Sequence, residues 1–174
     1  MDVKLGLGLA TGMFFEAPAG TALPTNLSES LPSAWKEVGD VTSDGISVTL
    51  DKSSDNLKNW ANVIKRTILT DHSETVQSPI MDTTEGSLKA VFGDDNVVVA
   101  DNVITVNLSA SNLPAPKAYI WLMKDGEDMM AVGCSQGQIT KVENVSFTPG
   151  SGITWTPTIT AQGSGLTFIS QSAN

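Results

Sequence analysis

Hydrophobic and polar residues alternate along short segments of this chain, which is the pattern of half-buried β-strands. The segment GISVTL (45–50) places Ile, Val and Leu on one face and Ser and Thr on the other. The same reasoning predicts strands over 63–70 and 75–81, separated by the polar stretch 71–74. Pro79 has no amide hydrogen to donate, which favours an edge position or a bulge for the second of these strands.

A polar segment, DKSSDNLKNWAN, lies between the first two predicted strands. It predicts that residues 51–62 form the loop of a long hairpin, with room for one helical turn. The loop contains one large aromatic residue, Trp60, which we expect to be buried and to anchor it.

One short helix is predicted after the third strand. Thr83 and Thr84 are residues that can cap a helix N-terminus, and Glu85 would favour the positive end of the helix dipole. SLKAVF then supplies about two turns, and Gly93 is a suitable residue for the C-terminal stop. We expect this helix to cover the core with Leu88, Val91 and Phe92.

The second half of the chain reads as further strands. VVVA and VITVNLS predict a hairpin around 101–102, and AYIWLMK is typical of a strand buried on both faces. An Asp-Gly turn then leads into MMAVGCS and GQITKVENVSF, with a bulge expected between Ile139 and Val142. ITWTPTITAQ has a clean alternation of apolar and Thr positions, and Pro157 predicts an edge strand or a bulge there.

These elements predict a mainly β protein: a two-sheet β-sandwich or partly open barrel, flanked by one short α-helix. The length of 174 residues is that of one domain with arms. We divide the chain into an extended N-terminal arm (1–34), a β-sandwich domain (35–162) and a C-terminal tail (163–174).

The composition limits the cellular compartments and the binding partners that we expect for this protein. Cys134 is the only cysteine, so no disulfide can form within the chain, and a reducing compartment is expected. The net charge of −9 argues against stable binding of nucleic acid, which depends on Lys and Arg. We expect no signal peptide and no membrane-spanning segment. No charged residue follows Glu143; that segment is either an exposed polar surface or packs on another subunit.

The residues of most catalytic sites are missing. His72 is the only histidine, and in Asp71-His72-Ser73 neighbouring side chains of a strand point to opposite faces, so these residues do not form a triad. A zinc site needs three or four ligands that one His and one Cys do not supply. The acidic clusters 94–96 and 125–128 lack EF-hand spacing and are interpreted as turns. We expect no enzyme activity, cofactor or metal.

Several motifs in fixed order carry a family resemblance. PAGTALPT, SAWKEVGDVTSDGISVTL, NLKNWANVIKRTILTDHSETVQ and SLKAVFGDDNV follow one another. They resemble the arm, Asp-Gly turn, Trp-containing loop, R-T-x-x-x-D strand and V-F-G helix end of major tail tube proteins from long-tailed phages with non-contractile tails. The resemblance covers about residues 17–97 and continues more weakly through PKAYIWLMKDGEDMMAVGCSQGQITKVENVSFTPG. The ending GLTFISQSAN departs from the family pattern.

The resemblance implies a structural virion protein. Homohexameric rings would stack into a tail tube through which DNA passes without sticking. Its partners would be other copies of the chain, the tape measure protein, the tail terminator and the baseplate or initiator proteins, with no membrane contact. It would be found in the virion tail, after assembly in the host cytoplasm. The alternative function is a virion surface, decoration or binding β-sandwich module.

Two groups of residues are candidate subunit contacts. The arm offers Leu23, Pro24, Leu31 and Trp35 to a neighbouring subunit, or else packs them on its own sandwich. The polar loop is expected to stack one ring on the next, or else to be a solvated hairpin tip. Its candidate contact residues are Asp51, Lys52, Asp55, Lys58 and Trp60. The Thr face of the 153–161 strand lines either the lumen or the outer solvent.

Overall fold

The computed structural model describes residues 3–9 and 13–173, so parts of the predicted arm and of the predicted tail lie outside the described residues. The described residues form a mainly β fold with one α-helix, α1 (Glu85–Phe92), and one short 3-10 turn (Asp94–Asn96). The strands are β1 (Leu7–Gly8), β2 (Phe14–Pro18), β3 (Lys36–Gly39), β4 (Ser47–Lys58), β5 (Ile64–Gln77), β6 (Val97–Ala100), β7 (Val103–Val106), β8 (Lys117–Asp125), β9 (Asp128–Val142), β10 (Pro157–Ala161) and β11 (Thr167–Gln171).

Nine of these strands share one antiparallel sheet, and β6 and β7 form a second, two-stranded sheet. The order along the main sheet is β3-β2-β8-β9-β10-β5-β4, with β1 on β8 and β11 on β9. The sheet forks at β9. Residues 129–133 of β9 pair with β11, whereas its second half, from Gly137 onward, pairs with β10.

The centre of the sheet, around β8, is buried on both faces. On one face Phe14 stacks on Trp121 with ring centroids 4.8 Å apart, and Leu88 and Val91 of α1 pack against the same cluster. On the other face Ile120 belongs to a second cluster. The members of that cluster include Ala17, Leu27, Trp35, Ala118, Leu122 and Ala131. The prediction that AYIWLMK is buried on both faces is therefore confirmed.

The predicted helix is confirmed, and so are the residues predicted to cap its start and to end it. The Thr84 hydroxyl accepts a hydrogen bond from the Ser87 amide, and the Ser87 hydroxyl in turn accepts one from the Thr84 amide. Gly93 ends the helix at φ 89°, a conformation that favours glycine. Leu88 and Val91 are buried as expected, and the Phe92 ring meets the Trp155 ring edge-on at 5.4 Å.

Three strand predictions are wrong in extent. Residues 51–58 continue β4 instead of forming a loop, and β5 runs unbroken through 71–74. MMAVGCS and GQITKV form the single strand β9. In β4 and β5 cross-strand hydrogen bonds satisfy polar segments that local composition marks as turns, because a ribbon open to water on both faces has no need of apolar residues. β9 is continuous because β8, β10 and β11 pair with successive parts of it.

For the 153–161 strand the sequence left an edge position or a bulge open, and the edge position is excluded because β10 lies between β9 and β5. Pro157 is tolerated there as the first residue of β10, a position where the missing donor costs least. The predicted bulge is confirmed by a shift in the β9–β10 register between Thr158 and Ile159. The predicted tail contains another strand, β11, whereas the boundaries at 34 and 162 stay predictions.

Gly137 sits at the fork of the sheet, where no side chain fits. A Cβ there would lie 2.9 Å from both Cys134 Sγ and Ile159 Cγ2. We expect Gly137→Ala to destabilise the fold by about 1–3 kcal/mol through overpacking. Gly152→Ala is the matched control, since its Cβ would meet nothing within 4 Å. Chemical denaturation of both variants checks this, and equal midpoints would contradict it.

Candidate assembly surfaces

A long hairpin, formed by β4 and β5 (residues 47–77), is the most exposed feature of the sheet. Only Thr75–Gln77 pair with β10; beyond them β4 and β5 pair only with each other. Every described side chain from Ser47 to Lys58 and from Ile64 to His72 is exposed. A two-stranded ribbon in water is marginally stable by itself, so this one is built to be covered.

The turn of the long hairpin is closed by its own hydrogen bonds. The Asn59 amide donates to the Val63 carbonyl at 3.0 Å, and the Asn59 side chain accepts from the Val63 amide at 2.9 Å. Asn62 takes φ 64°, which Asn tolerates better than most residues. The tip therefore has a defined shape before any partner binds.

The predicted stacking residues lie on a strand, which places their positive and negative charges on opposite faces. Asp51, Lys52, Asp55 and Lys58 are all exposed on β4. Because side chains alternate along a strand, the two carboxylates point to one face and the two ammonium groups to the other. Sequence reasoning named these residues without separating them, because it treated the segment as a loop.

The expectation that Trp60 is buried is wrong. Its exposed fraction is 106%, so it lies at the tip without a packing partner among the described residues. The other large apolar residues exposed on the outer part of the hairpin are Leu57, Val63, Ile64, Ile68 and Leu69. Register divides them between the two faces of the ribbon, with Ile68 opposite Asp55 and Ile64 opposite Lys58, so both faces of the outer hairpin carry exposed apolar side chains.

One face of the sheet, here called the hydroxyl–amide face, carries small polar side chains. Register places Ser47, Gln77 and Thr158 side by side, and next to them Thr49, Thr75, Thr160 and Gln138. The buried Val76, Ile139 and Ile159 point to the opposite face. This face is the continuation of the Thr pattern seen in the sequence.

Hydrogen bonds tie the hydroxyl–amide face together. Thr140 and Thr160 hydroxyls lie 2.9 Å apart, and Gln162 donates to Gln138 at 3.1 Å. Glu143 accepts from Gln77 at 3.1 Å, and Lys141 pairs with it at 2.9 Å. The hydrogen bond from Lys141 is the main reason that the pKa of Glu143 is lowered, so this charged pair is neutral overall.

The predicted arm residues pack on their own chain. Trp35 is 7% exposed, and Leu23 and Leu31 are partly buried against the same cluster. The Leu27 amide also donates to the Gln171 side chain of β11 at 2.6 Å, which ties the arm to the C-terminal strand. Pro24 is half-buried. A contact of these residues with a neighbouring subunit stays a prediction.

A second exposed apolar surface, here called the helix-end surface (residues 90–116), was missed by sequence reasoning. It contains the end of α1, the β6–β7 hairpin and the loop that follows. Its exposed apolar residues are Val98, Val99, Val103, Ile104, Leu108 and Leu113. Between α1, the loop 107–114 and β9 lies an open groove of about 200 Å³, lined in part by Phe92, Leu108 and Leu113.

The candidate chemical residues form no reactive centre in the described part of the chain. His72 Nε2 lies 2.8 Å from Glu74 Oε1, while Ser73 lies on the other face of the ribbon. Cys134 is buried, and burial raises the pKa of its thiol to about 11. Among the described residues no group of three or more His, Cys, Asp or Glu could hold a metal ion. No helix in the same residues has the length and apolar character needed to cross a membrane.

Both ends of the described chain meet at the β8–β9 turn. The Lys4 ammonium contacts the Asp128 carboxylate, and the Ala173 amide donates to the same side chain at 3.0 Å. The hydrogen bond from Lys4 is the main cause of the lowered pKa of Asp128. The Leu5 amide donates to Asp125 at 3.0 Å. The two termini are thus fastened to one end of the sheet.

Comparison with known sequence families identifies the kind of protein. The sequence model of a family described as "Phage tail tube protein" matches residues 8–165, which is most of the chain. The chain belongs to the phage tail tube protein family. The resemblance found in the sequence motifs is confirmed, and the chain is a structural protein of the tail tube. A search of curated proteins finds no match.

One solved structure shows the same fold at low sequence identity. The tail tube protein is similar to a chain of the anti-feeding prophage cap (AFP tube terminating cap), with a TM-score of 0.52, 10% identity, and coverage of 98% of this chain and 97% of that one. A chain from the tail of an empty GTA particle gives 0.44 with 10% identity, covering 92% and 98%. A chain from the virion of a native gene transfer agent particle gives 0.44 with 8% identity, covering 80% and 92%.

Proposed function

We propose that this tail tube protein forms rings, six copies to a ring, that stack into the conduit through which phage DNA enters the host. Family membership supplies the tube. The observation that carries the finer proposal is the long hairpin, which is exposed over most of its length and beyond Thr75 pairs with no other strand of the described chain. In an assembled tube that ribbon would contact neighbouring copies.

Ring closure follows from the edge strands. β4 ends the nine-stranded sheet with one side of twelve residues unpaired within the described chain. An exposed edge of that length invites pairing with another chain. Head-to-tail contacts between identical copies close into a ring when the rotation allows it, and a closed ring leaves no edge.

The hydroxyl–amide face is our candidate for the lumen wall. It offers hydroxyl and amide groups together with the Asp51 and Asp71 carboxylates, while the Lys141 ammonium is paired with Glu143. Such a wall supplies few cations to hold phosphates, so DNA would slide past it. The chain's net charge of −9 acts in the same direction by repelling the DNA backbone.

The remaining partners follow from the need to start and stop a stack of identical rings. Complementary ring faces would polymerise without a limit, so an initiator at the baseplate, a tape measure protein and a tail terminator would set the length. The arm residues Leu23, Pro24 and Leu31 are exposed enough to add a contact with a neighbouring copy. Assembly would occur in the host cytoplasm, and the tube would be carried in the virion.

Electron microscopy of the concentrated protein tests the proposal. We expect stacked rings or tubes, either spontaneously or after addition of the cognate tail initiator complex, because identical exposed ribbons and edges can pair only between copies. A chain that stays monomeric in both conditions, and binds a ligand saturably instead, would favour the virion surface or binding module.

A further inference from the structure

We propose that the tip of the long hairpin docks on the helix-end surface of a second copy of the chain. This rests on the proposed function, and it deepens it by naming the surface that receives the tip. Both surfaces are exposed, apolar regions that no other described part of the chain covers. We pair the two surfaces because their charges are opposite.

The two segments have opposite and unmixed charge. Residues 56–70 of the hairpin contain Lys58, Lys65 and Arg66 and no acidic residue. Residues 90–116 contain Asp94, Asp95 and Asp101 and no basic residue. In a chain with nineteen acidic and ten basic residues, a stretch with three bases and no acid is the exception, and it stands at the most exposed point.

These charges are available to a partner. All six side chains are exposed, and none makes an ion pair with another described residue. Lys89 of α1 also interacts electrostatically with Asp94. Its ammonium is hydrogen-bonded to Glu85 at 2.6 Å, however, so it does not neutralise the aspartates. Complementary patches of this kind orient two proteins and fix the register of their contact.

The apolar residues on the two surfaces match in character. Trp60 is fully exposed at the tip, and Leu57 and Val63 flank it. The helix-end surface offers a groove beside Leu108 and Leu113. Lys141 also lines this groove, with its ammonium paired to the Glu143 carboxylate. Pockets for small molecules usually measure roughly 300–1,000 Å³. The groove of about 200 Å³ is smaller, which suits one side chain of a partner better than a separate ligand. Aromatic anchors in such grooves dominate the energy of many interfaces.

The length of the hairpin and the family of the protein both indicate that the tip docks on a second copy of the chain. At roughly 3.3 Å per residue, the stretch from His72 to Val63 spans about 30 Å, so the tip stands well clear of its own sheet. A tail tube is built of copies of one chain, and each copy carries both surfaces. One contact, repeated between rings, would satisfy every tip and every groove.

Charge exchange tests the pairing. Lys58→Glu with Arg66→Glu, and separately Asp94→Lys with Asp95→Lys, are each expected to abolish or strongly reduce tubes. All four changes in one chain restore opposite charges across the contact and are expected to restore tubes. Asp44→Lys with Glu127→Lys is the matched control for the aspartate variant, because it raises the net charge by the same amount at exposed residues outside both surfaces. Tubes are counted by sedimentation and electron microscopy, with circular dichroism as the check on folding.

Two results would overturn the pairing: folded double variants that assemble like the unchanged protein, or a fourfold variant that does not regain tubes. Since exposed charges are screened by salt, we also expect tubes of the unchanged protein to weaken as ionic strength rises.

Crosslinking provides a second, independent test. Ala61→Cys and Asn112→Cys are made in separate chains, mixed, assembled and oxidised. A disulfide requires Cα atoms roughly 4–7 Å apart, so a dimer containing one of each chain reports contact between tip and groove. The native Cys134 is buried with a raised thiol pKa and will not compete. Ser30→Cys, beside the separate groove on the arm side, is the control position.

The outcomes separate this inference from the function it rests on. If the unchanged protein forms no tubes even with the initiator, the proposed function fails. If tubes form but Ala61→Cys crosslinks to Ser30→Cys and not to Asn112→Cys, the proposed function stands and the helix-end assignment is wrong.

Discussion

Shortening the long hairpin is expected to abolish tubes while leaving the protein folded. The variant replaces residues 54–70 with Asn-Gly, which joins Ser53 and Asp71, a directly opposed pair of the ribbon. Asn-Gly is the preferred sequence for the two-residue turn that such a join requires. The removed side chains are all exposed and pack on no core cluster, so the body keeps its contacts.

We expect the shortened protein to unfold within about 1 kcal/mol of the unchanged chain, because surface changes away from the core have small effects on stability. Negative-stain microscopy and sedimentation should show only single subunits or single rings. Deleting residues 51–62 alone, which the sequence suggested as a loop, would remove most of β4 and leave β5 without a partner. The symmetric cut avoids that artefact.

The control for the shortened hairpin is a turn exchange that shortens nothing. Asn-Gly in place of residues 126–127 keeps the two-residue β8–β9 turn, in which Gly126 already has a positive φ of 60°. That variant should assemble normally. Normal tubes from the shortened hairpin would show that the ribbon plays no part in stacking or ring closure.

Replacing Trp121 and replacing Trp60 are expected to have opposite consequences. Trp121 is fully buried, stacks on Phe14, and donates its indole hydrogen to the Ser78 hydroxyl at 2.9 Å. Trp121→Ala should cost about 3–5 kcal/mol from the lost burial and the cavity. Since domains of this kind are stable by about 5–15 kcal/mol, much of the folding free energy would be lost.

Thermal unfolding measures the difference between the two tryptophans. At roughly 2–4 °C per kcal/mol for a domain of this size, Trp121→Ala should lower the Tm by about 6–20 °C. Trp60→Ala removes the same side chain from a fully exposed position, so its Tm should stay within about 2 °C while its tubes become fewer. A large loss of stability from Trp60→Ala would mean that the tip packs on its own body.

Local patterns predicted the elements whose residues signal their own structure. The helix follows from its capping Thr84 and terminal Gly93, and the burial of β8 on both faces follows from AYIWLMK. Turns were also found, since Gly126 and the pair Asp101 and Asn102 take positive φ where Asp-Gly and Asp-Asn were identified. A helix cap or a tight turn depends on only a few neighbouring residues, so those residues are enough to predict it.

The extents of the long strands could not be predicted in the same way. The β4 segment DKSSDNLK is polar on both faces, so no alternation marks it as a strand. It is one because β5 lies opposite and supplies hydrogen bonds along its length. Pro157 left an edge position or a bulge open for a related reason: the place of β10 between β9 and β5 depends on strands distant in the sequence.

By itself the sequence determined that this is a mainly β protein of the tail tube family, because motif order and residue types are local and countable. The tertiary structure decided which surfaces are left uncovered. Only strand pairing shows that Trp60 stands exposed at the tip of a ribbon, that Asp51 and Lys52 point to opposite faces, and that the residues following α1 form a second exposed surface. The exposure of a side chain depends on which elements pack against it, and those elements are often distant in the sequence.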